Sequence, residues 1–140
     1  LPMPEAMIPA REAPRRPPIL LSDADHGILL GLAQSGLRRN PDAARLLMEE
    51  ADRAELVPSA QLPPDVVAPG PRVTFTEGAS GISRHVQLVL PAEADIGQGR
   101  ISILSLVGAG LIGLRAGQSI DWPMQDGRLR RLSVTAVNRD

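Results

Sequence analysis

Five prolines fall between Pro58 and Pro71, in the stretch PSAQLPPDVVAPGP, and they divide two regions of different hydrophobic period. Each proline fixes its own φ and removes a backbone donor, so no single helix or central strand crosses such a run. Upstream, apolar residues recur every three or four positions; downstream they recur every two. The chain therefore reads as a helical part followed by a strand part, an α+β architecture. Only a brief extended piece, Val66–Val67, interrupts the connector.

The helical part opens at Ser22, a good N-cap, with Asp25 three residues on and Asp23 and Asp25 both at the positive end of the helix dipole. This helix runs to about Gln34, although Gly27 and Gly31 weaken it. Asn40 followed by Pro41 is a strong start signal for a second helix. Ala44, Leu47, Ala51 and Ala54 form its narrow apolar stripe, Arg45/Glu49 and Glu49/Arg53 are spaced for pairing on the wet face, and Pro58 ends it. Two helices joined by a short turn make an antiparallel hairpin with its tip at residues 35–42.

Beyond the connector, RVTFT places Val73 and Phe75 on one face, and HVQLVL does the same for Val86, Leu88 and Leu90. GRISILSLV is a third, nearly all-apolar strand whose regular part ends near Leu104. SIDWPM and RLRRLSVTAV flank a QDGR turn, where Asp126–Gly127 is a strong hairpin signal. The organisation is a Pro/Arg-rich tail at 1–18, read as disordered, then a hairpin at 19–57 and a linker at 58–70. A mostly antiparallel sheet domain with one short helix fills 71–140. Arg11, Arg15 and Arg16 of the tail are available to an acidic partner or to solvent.

Composition removes several function classes. The formal net charge is −1, which provides no general grip on nucleic acid or an anionic membrane. All fifteen basic residues are Arg. Phe75 and Trp122 are the only aromatic residues, too few for a base-stacking platform or an aromatic ligand pocket. There is no cysteine, which fits a reducing cytoplasm, and no apolar run of membrane-spanning length. His26 and His85 are the only histidines. His26 lacks a paired ligand and His85 alternates with core positions toward solvent, so no metal site is expected. Ser105 has no His–Asp arrangement around it, so it is not read as a nucleophile.

One motif suggests a cofactor. LVGAGLIGL contains Gly108, Gly110 and Gly113 in the spacing G-x-G-x-x-G after an apolar run, as in dinucleotide-binding turns. A dinucleotide fold needs a long crossover helix and a second parallel strand. Here a helix from Ala109 stops at about Leu114 and a strand begins at Ser119, too soon for a crossover. Asp126, at roughly the distance of the ribose-binding acid, lies in a tight turn. The glycines read instead as small residues that let a short helix approach the sheet. No cofactor and no small-molecule substrate are expected.

The same segment carries a family resemblance. GRISILSLVGAGLIGLRAGQSI resembles the signature of the C-terminal domain of the bacterial Gre transcript-cleavage factors, at Ser105, Leu106, Val107, Gly108, Leu111, Ile112, Gly113, Gly117 and Ile120. PAEADIGQGRISI fits the approach to that signature. ADRAELVPSAQLPPDVVAPGPRVTF and LVGAGLIGLRAGQSIDW are closer still to the regulator of nucleoside diphosphate kinase family (Rnk), Gre relatives with a shortened coiled coil. The resemblance spans about residues 18–140. It departs at Leu106, where the signature has proline, and at Gln118, where Asp or Asn is usual.

What the resemblance implies is an FKBP-like sheet domain bearing a helical hairpin that binds RNA polymerase near its secondary channel, in the cytoplasm. The loop Leu104, Ser105, Leu106, Val107 is then the polymerase-docking candidate, with Leu104 and Leu106 as core residues in the other reading. Arg38, Arg39 and Asp42 are the hairpin-tip candidates. Gre factors use acidic tip residues to hold a Mg²⁺, because a hard cation needs several carboxylate oxygens. Here Asp42 is the tip's one acid, and it also suits the first turn of its helix. Glu49 and Glu50 lie about 10–12 Å further along at 1.5 Å per residue. The expected function is a non-enzymatic regulator at the channel entrance that competes with Gre factors. A true cleavage factor, or a module acting on nucleoside diphosphate kinase, is the alternative. Arg128, Arg130 and Arg131 either guard a sheet edge or touch polymerase or nucleic acid. Prolyl isomerase activity is not expected without an aromatic pocket.

Overall fold

The computed structural model describes residues 16–78 and 80–138. Residues 1–15, which make up most of the expected tail, lie outside the described residues. A three-residue strand β1 (Leu20–Ser22) leads directly into helix α1 (Asp23–Gly36). Ser22 Oγ accepts from the Asp25 N–H at 3.0 Å and the Asp23 carboxylate from the Ala24 N–H at 2.8 Å, so the expected cap is formed. α2 (Pro41–Arg53) begins with proline at its first position, as the sequence indicates, although the Asn40 side chain makes no cap bond. α2 leads into β2 (Glu55–Val57), which pairs in parallel with β1, Leu20 opposite Glu55 and Ser22 opposite Val57. This pair was not anticipated.

The second half is a five-stranded sheet in the order β5-β4-β3-β7-β6. Its strands are β3 (Arg72–Glu77), β4 (Ser83–Val89), β5 (Arg100–Ser102), β6 (Ser119–Pro123) and β7 (Leu129–Asn138). β3 pairs antiparallel with both β4 and β7, and β6 antiparallel with β7. β5 runs parallel to β4, which makes the sheet mixed. A bulge opposite Thr74/Phe75 leaves Thr135 as the extra residue, so Phe75 and Val134 both still point inward.

The third strand is shorter than the apolar run suggests, ending at Ser102 rather than near Leu104. The serines end it. Ser102 Oγ accepts from the Leu104 N–H at 3.0 Å, and Ser105 Oγ donates to the Ser102 carbonyl at 2.6 Å while accepting from the Gly108 N–H at 3.0 Å. Local side-chain bonds of this kind compete successfully with a ladder that has only one neighbour. α3 (Leu106–Leu111) therefore starts three residues before the expected Ala109.

α3 also accounts for the glycine motif. A Cβ on Gly110 would lie 2.9 Å from the Trp122 ring, and one on Gly108 would collide with the Ser102 carbonyl. Gly113 holds φ at +83°, ending the helix, and its Cα faces Ile19. The motif is a packing device that seats α3 on β6 and on the N-terminal arm.

Hairpin and sheet share one core. Leu29, Ala33, Ala44, Leu47 and Ala51 are buried in the same cluster as Phe75, Leu111, Ile120 and Trp122. α2 packs on α1 and on α3, so the hairpin lies against the sheet domain.

Candidate functional site

The hairpin turn, residues 37–40, is closed by the Asn40 N–H donating to the Gly36 carbonyl at 2.8 Å. Its side chains, Leu37, Arg38, Arg39 and Asn40, are all exposed. Asp42 is largely exposed and pairs with Arg45 at 2.8 Å. The i,i+4 pairs expected along α2 give way to i,i+3 pairs, Asp42–Arg45 and Glu50–Arg53, while Glu49 pairs instead with Arg16. Glu50 is fully buried.

The tip does not stand clear of the sheet domain. Leu104 Cδ1 lies 2.9 Å from the place a Cβ on Gly36 would occupy, so the last turn of α1 rests on the start of the 104–107 loop. Leu104 is thereby buried and anchors the loop from beneath. Ser105, Leu106 and Val107 are half-buried, and Leu106 and Val107 form the first turn of α3 rather than the expected loop. Leu106 is held by its backbone, whose carbonyl accepts from Trp122 Nε1 at 2.7 Å.

Leu106 forms a ridge between two open grooves. One, of about 390 Å³, runs between α2 (Asp42, Leu46, Glu49) and Leu106, Met124 and Gln125. The other, of about 440 Å³, is floored by Phe75, Val86, Ile101 and Val107 and reaches Asn40 and Arg84. Arg84 lies 5.8 Å from the centroid of the Phe75 ring, a cation–π contact. The tip and the 104–107 loop thus border one continuous surface. Sequence reasoning proposed each separately; it missed Leu46, Met124 and Gln125 between them, for which the only local signal was the Asp126–Gly127 turn that projects Met124.

The departures from the Gre-like signature are structurally cheap. Leu106 is the first residue of α3, the position where proline is most at home because the N–H there has no helical partner in any case. Gln118 closes the turn after α3: its backbone N–H donates to the Arg115 carbonyl at 2.9 Å and its Oε1 accepts from the Arg115 N–H at 2.9 Å. Gly117, with φ +94°, fits the third position of a type II turn.

The basic patch on the last hairpin is largely neutralised. Arg130 reaches Glu77 at 3.7 Å, and Arg131 donates to Asp121 at 3.0 Å, a bond that raises the pKa of its guanidinium further. Arg128 makes no ion pair among the described residues. His85 is exposed, its Nδ1 3.0 Å from Thr74 Oγ1. Among the described residues no three His, Asp or Glu side chains are grouped to hold a metal, and no helix is long and apolar enough to cross a membrane.

Residues 62–139 match the family described as "Transcription elongation factor, GreA/GreB, C-term". Over 119 residues the chain is 34% identical to the "Regulator of nucleoside diphosphate kinase" of Escherichia coli K12, covering 85% of this chain and 88% of that protein. It is 31% identical over 125 residues to the transcription elongation factor GreA of Rhodospirillum rubrum, covering 84% of this chain and 80% of that one. Among solved structures, the prokaryotic elongation factor GreA/GreB of Nitrosomonas europaea superposes with a TM-score of 0.67 at 31% identity, over 86% of this chain and 99% of that chain. The chain belongs to the regulator of nucleoside diphosphate kinase family, relatives of the GreA/GreB elongation factors whose C-terminal domain it carries.

Proposed function

We propose that this protein is a transcription regulator that binds RNA polymerase at the secondary-channel entrance and competes with Gre factors without stimulating transcript cleavage. The observation that carries this reading is the chemistry of the tip. It offers one carboxylate, Asp42, already paired to Arg45 at 2.8 Å and preceded by the exposed Arg38 and Arg39. A second metal-holding acid is lacking there, and the neighbouring guanidinium groups oppose a divalent cation. Reach supports the same conclusion. α1, with 14 residues, is about 21 Å long at 1.5 Å per residue, and the hairpin lies along the domain.

The docking surface in this reading is the ridge of Leu106 and Val107 with its two grooves, and the tip forms its margin. The decisive experiment is competition between this protein and a Gre factor for polymerase, together with a cleavage assay on backtracked complexes. Competition without shortened transcripts is expected. Transcripts that shorten with this protein and persist with D42N would establish a cleavage factor instead. Leu106→Asp, at a half-buried position, should stay folded and lose competition at least tenfold. A folded L106D that competes undiminished removes the loop as the docking site. Recovery of nucleoside diphosphate kinase, and no polymerase, from cell extract would favour the activity in the E. coli relative's name.

A further inference from the structure

The hairpin is joined to the sheet domain by more than its own packing. Residues Arg16–Ser22 cross the junction and bond to both sides. On the hairpin side, β1 pairs with β2 and the Glu55 N–H donates to the Ile19 carbonyl at 3.0 Å. The Arg16 guanidinium reaches Glu49 at 3.0 Å and Glu50 at 3.3 Å. On the sheet side, the Leu20 N–H donates to the Gly113 carbonyl at 3.1 Å and Gln118 Nε2 to the Pro18 carbonyl at 3.3 Å. The Arg16 guanidinium carbon also lies 5.2 Å from the centroid of the Trp122 ring.

Arg53 completes the junction. It is forked onto Glu50 at 2.6 and 2.9 Å and donates to the Pro17 carbonyl at 2.6 Å. One buried carboxylate is thus served by two arginines, and the second makes the closer, two-pronged contact. That redundancy decides which contact can open. A buried carboxylate stripped of every partner is strongly disfavoured, whereas Glu50 keeps Arg53 when Arg16 leaves. Arg16 is 28% exposed and Glu49 58%, so their contact opens straight into solvent. Ile19 and Leu21, both 2% exposed, have no such exit. Toward the tip, an open groove of about 390 Å³ separates Asp42, Leu46 and Glu49 of α2 from Met124 and Gln125.

We propose that Arg16–Ser22 is a clasp that sets the angle of the hairpin on the sheet domain, with Ile19 and Leu21 as its fixed pin and Arg16 as its releasable catch. With the catch closed, the tip sits beside the 104–107 loop; with it open, the hairpin rocks about the β1–β2 pair. Arg16 is a positioning residue, and this inference requires no polymerase.

The chain has no cysteine, so Ser35→Cys and Ser83→Cys, both exposed, give two clean spin-label sites for a pulsed dipolar distance measurement. The parent should give a single narrow distance. R16A should widen that distribution or add a second component, with the circular dichroism spectrum and melting temperature of the sheet retained. R16K keeps a cation on Glu50 and over Trp122 and should restore most of the narrowing. A distribution unchanged in R16A overturns the proposal. So does loss of folding in R16A, which would make the arm an integral part of the core rather than a catch.

Discussion

The two ends of the hairpin meet the rest of the molecule in opposite ways. At its base, α2 brings Glu50 into full burial against Arg53 and Arg16, and the flanking chain is bound into a parallel strand pair. At its tip, Gly36 rests on Leu104, and the next residues, Leu37 to Asn40, face solvent above open grooves. The same two helices thus have a polar, fully satisfied joint at one end and a loosely filled margin at the other. Stability belongs to the base; the capacity to recognise something else belongs to the tip. Substitutions at the two ends should separate accordingly.

The largest expected effect is at Trp122, which touches both ends by donating to the Leu106 carbonyl and underlying Arg16. Trp122→Ala should cost about 3–5 kcal/mol in urea unfolding, as for other large-to-small aromatic truncations in a core. Survival of the fold with a shallower loss would mean that the two ends are less coupled than the geometry indicates. Next comes Glu50→Ala, which takes the carboxylate from Arg53 and leaves Arg16 with Glu49 alone. Both arginines are about a quarter exposed and can turn to water, so about 2 kcal/mol is expected rather than the larger penalty of an orphaned buried charge. The same measurement reads both.

Ser105→Ala removes the cap of α3 and the bond to the Ser102 carbonyl, and should cost about 1 kcal/mol. Thermal melting, followed by circular dichroism, checks it. At the tip, the double substitution Arg38→Ala, Arg39→Ala should change unfolding free energy by about 0.5 kcal/mol or less, because neither side chain has a partner among the described residues. A tip loss above about 1 kcal/mol would erase the contrast between the ends.

Local signals were readable where one residue type settles one backbone decision. Ser22 and Pro41 marked both helix starts, and Asp126–Gly127 marked the last hairpin. The strands around Val73, Phe75, Val86 and Leu88 followed from alternation, because each has one face on the core. The missed features depend on partners far along the chain. Arg16 meets Glu50 across 34 residues, and Leu104 lies under Gly36, so neither contact leaves a period to read. β1 and β2, at three residues each, are too short to show alternation. At the candidate site, Leu106 was found through its place in a family signature. Leu46 and Met124 become its neighbours only when α2 is laid against the β6–β7 turn.

The β1–β2 pair fixes the two stems of the hairpin side by side, about 4.8 Å apart as in any strand ladder. Whatever is spliced between those stems starts and finishes at the same two points. The pair is a collar that holds entry and exit together, while Leu29, Ala33, Ala44, Leu47 and Ala51 in the shared core and Gly36 on Leu104 tie the length of both helices to the sheet they lie on.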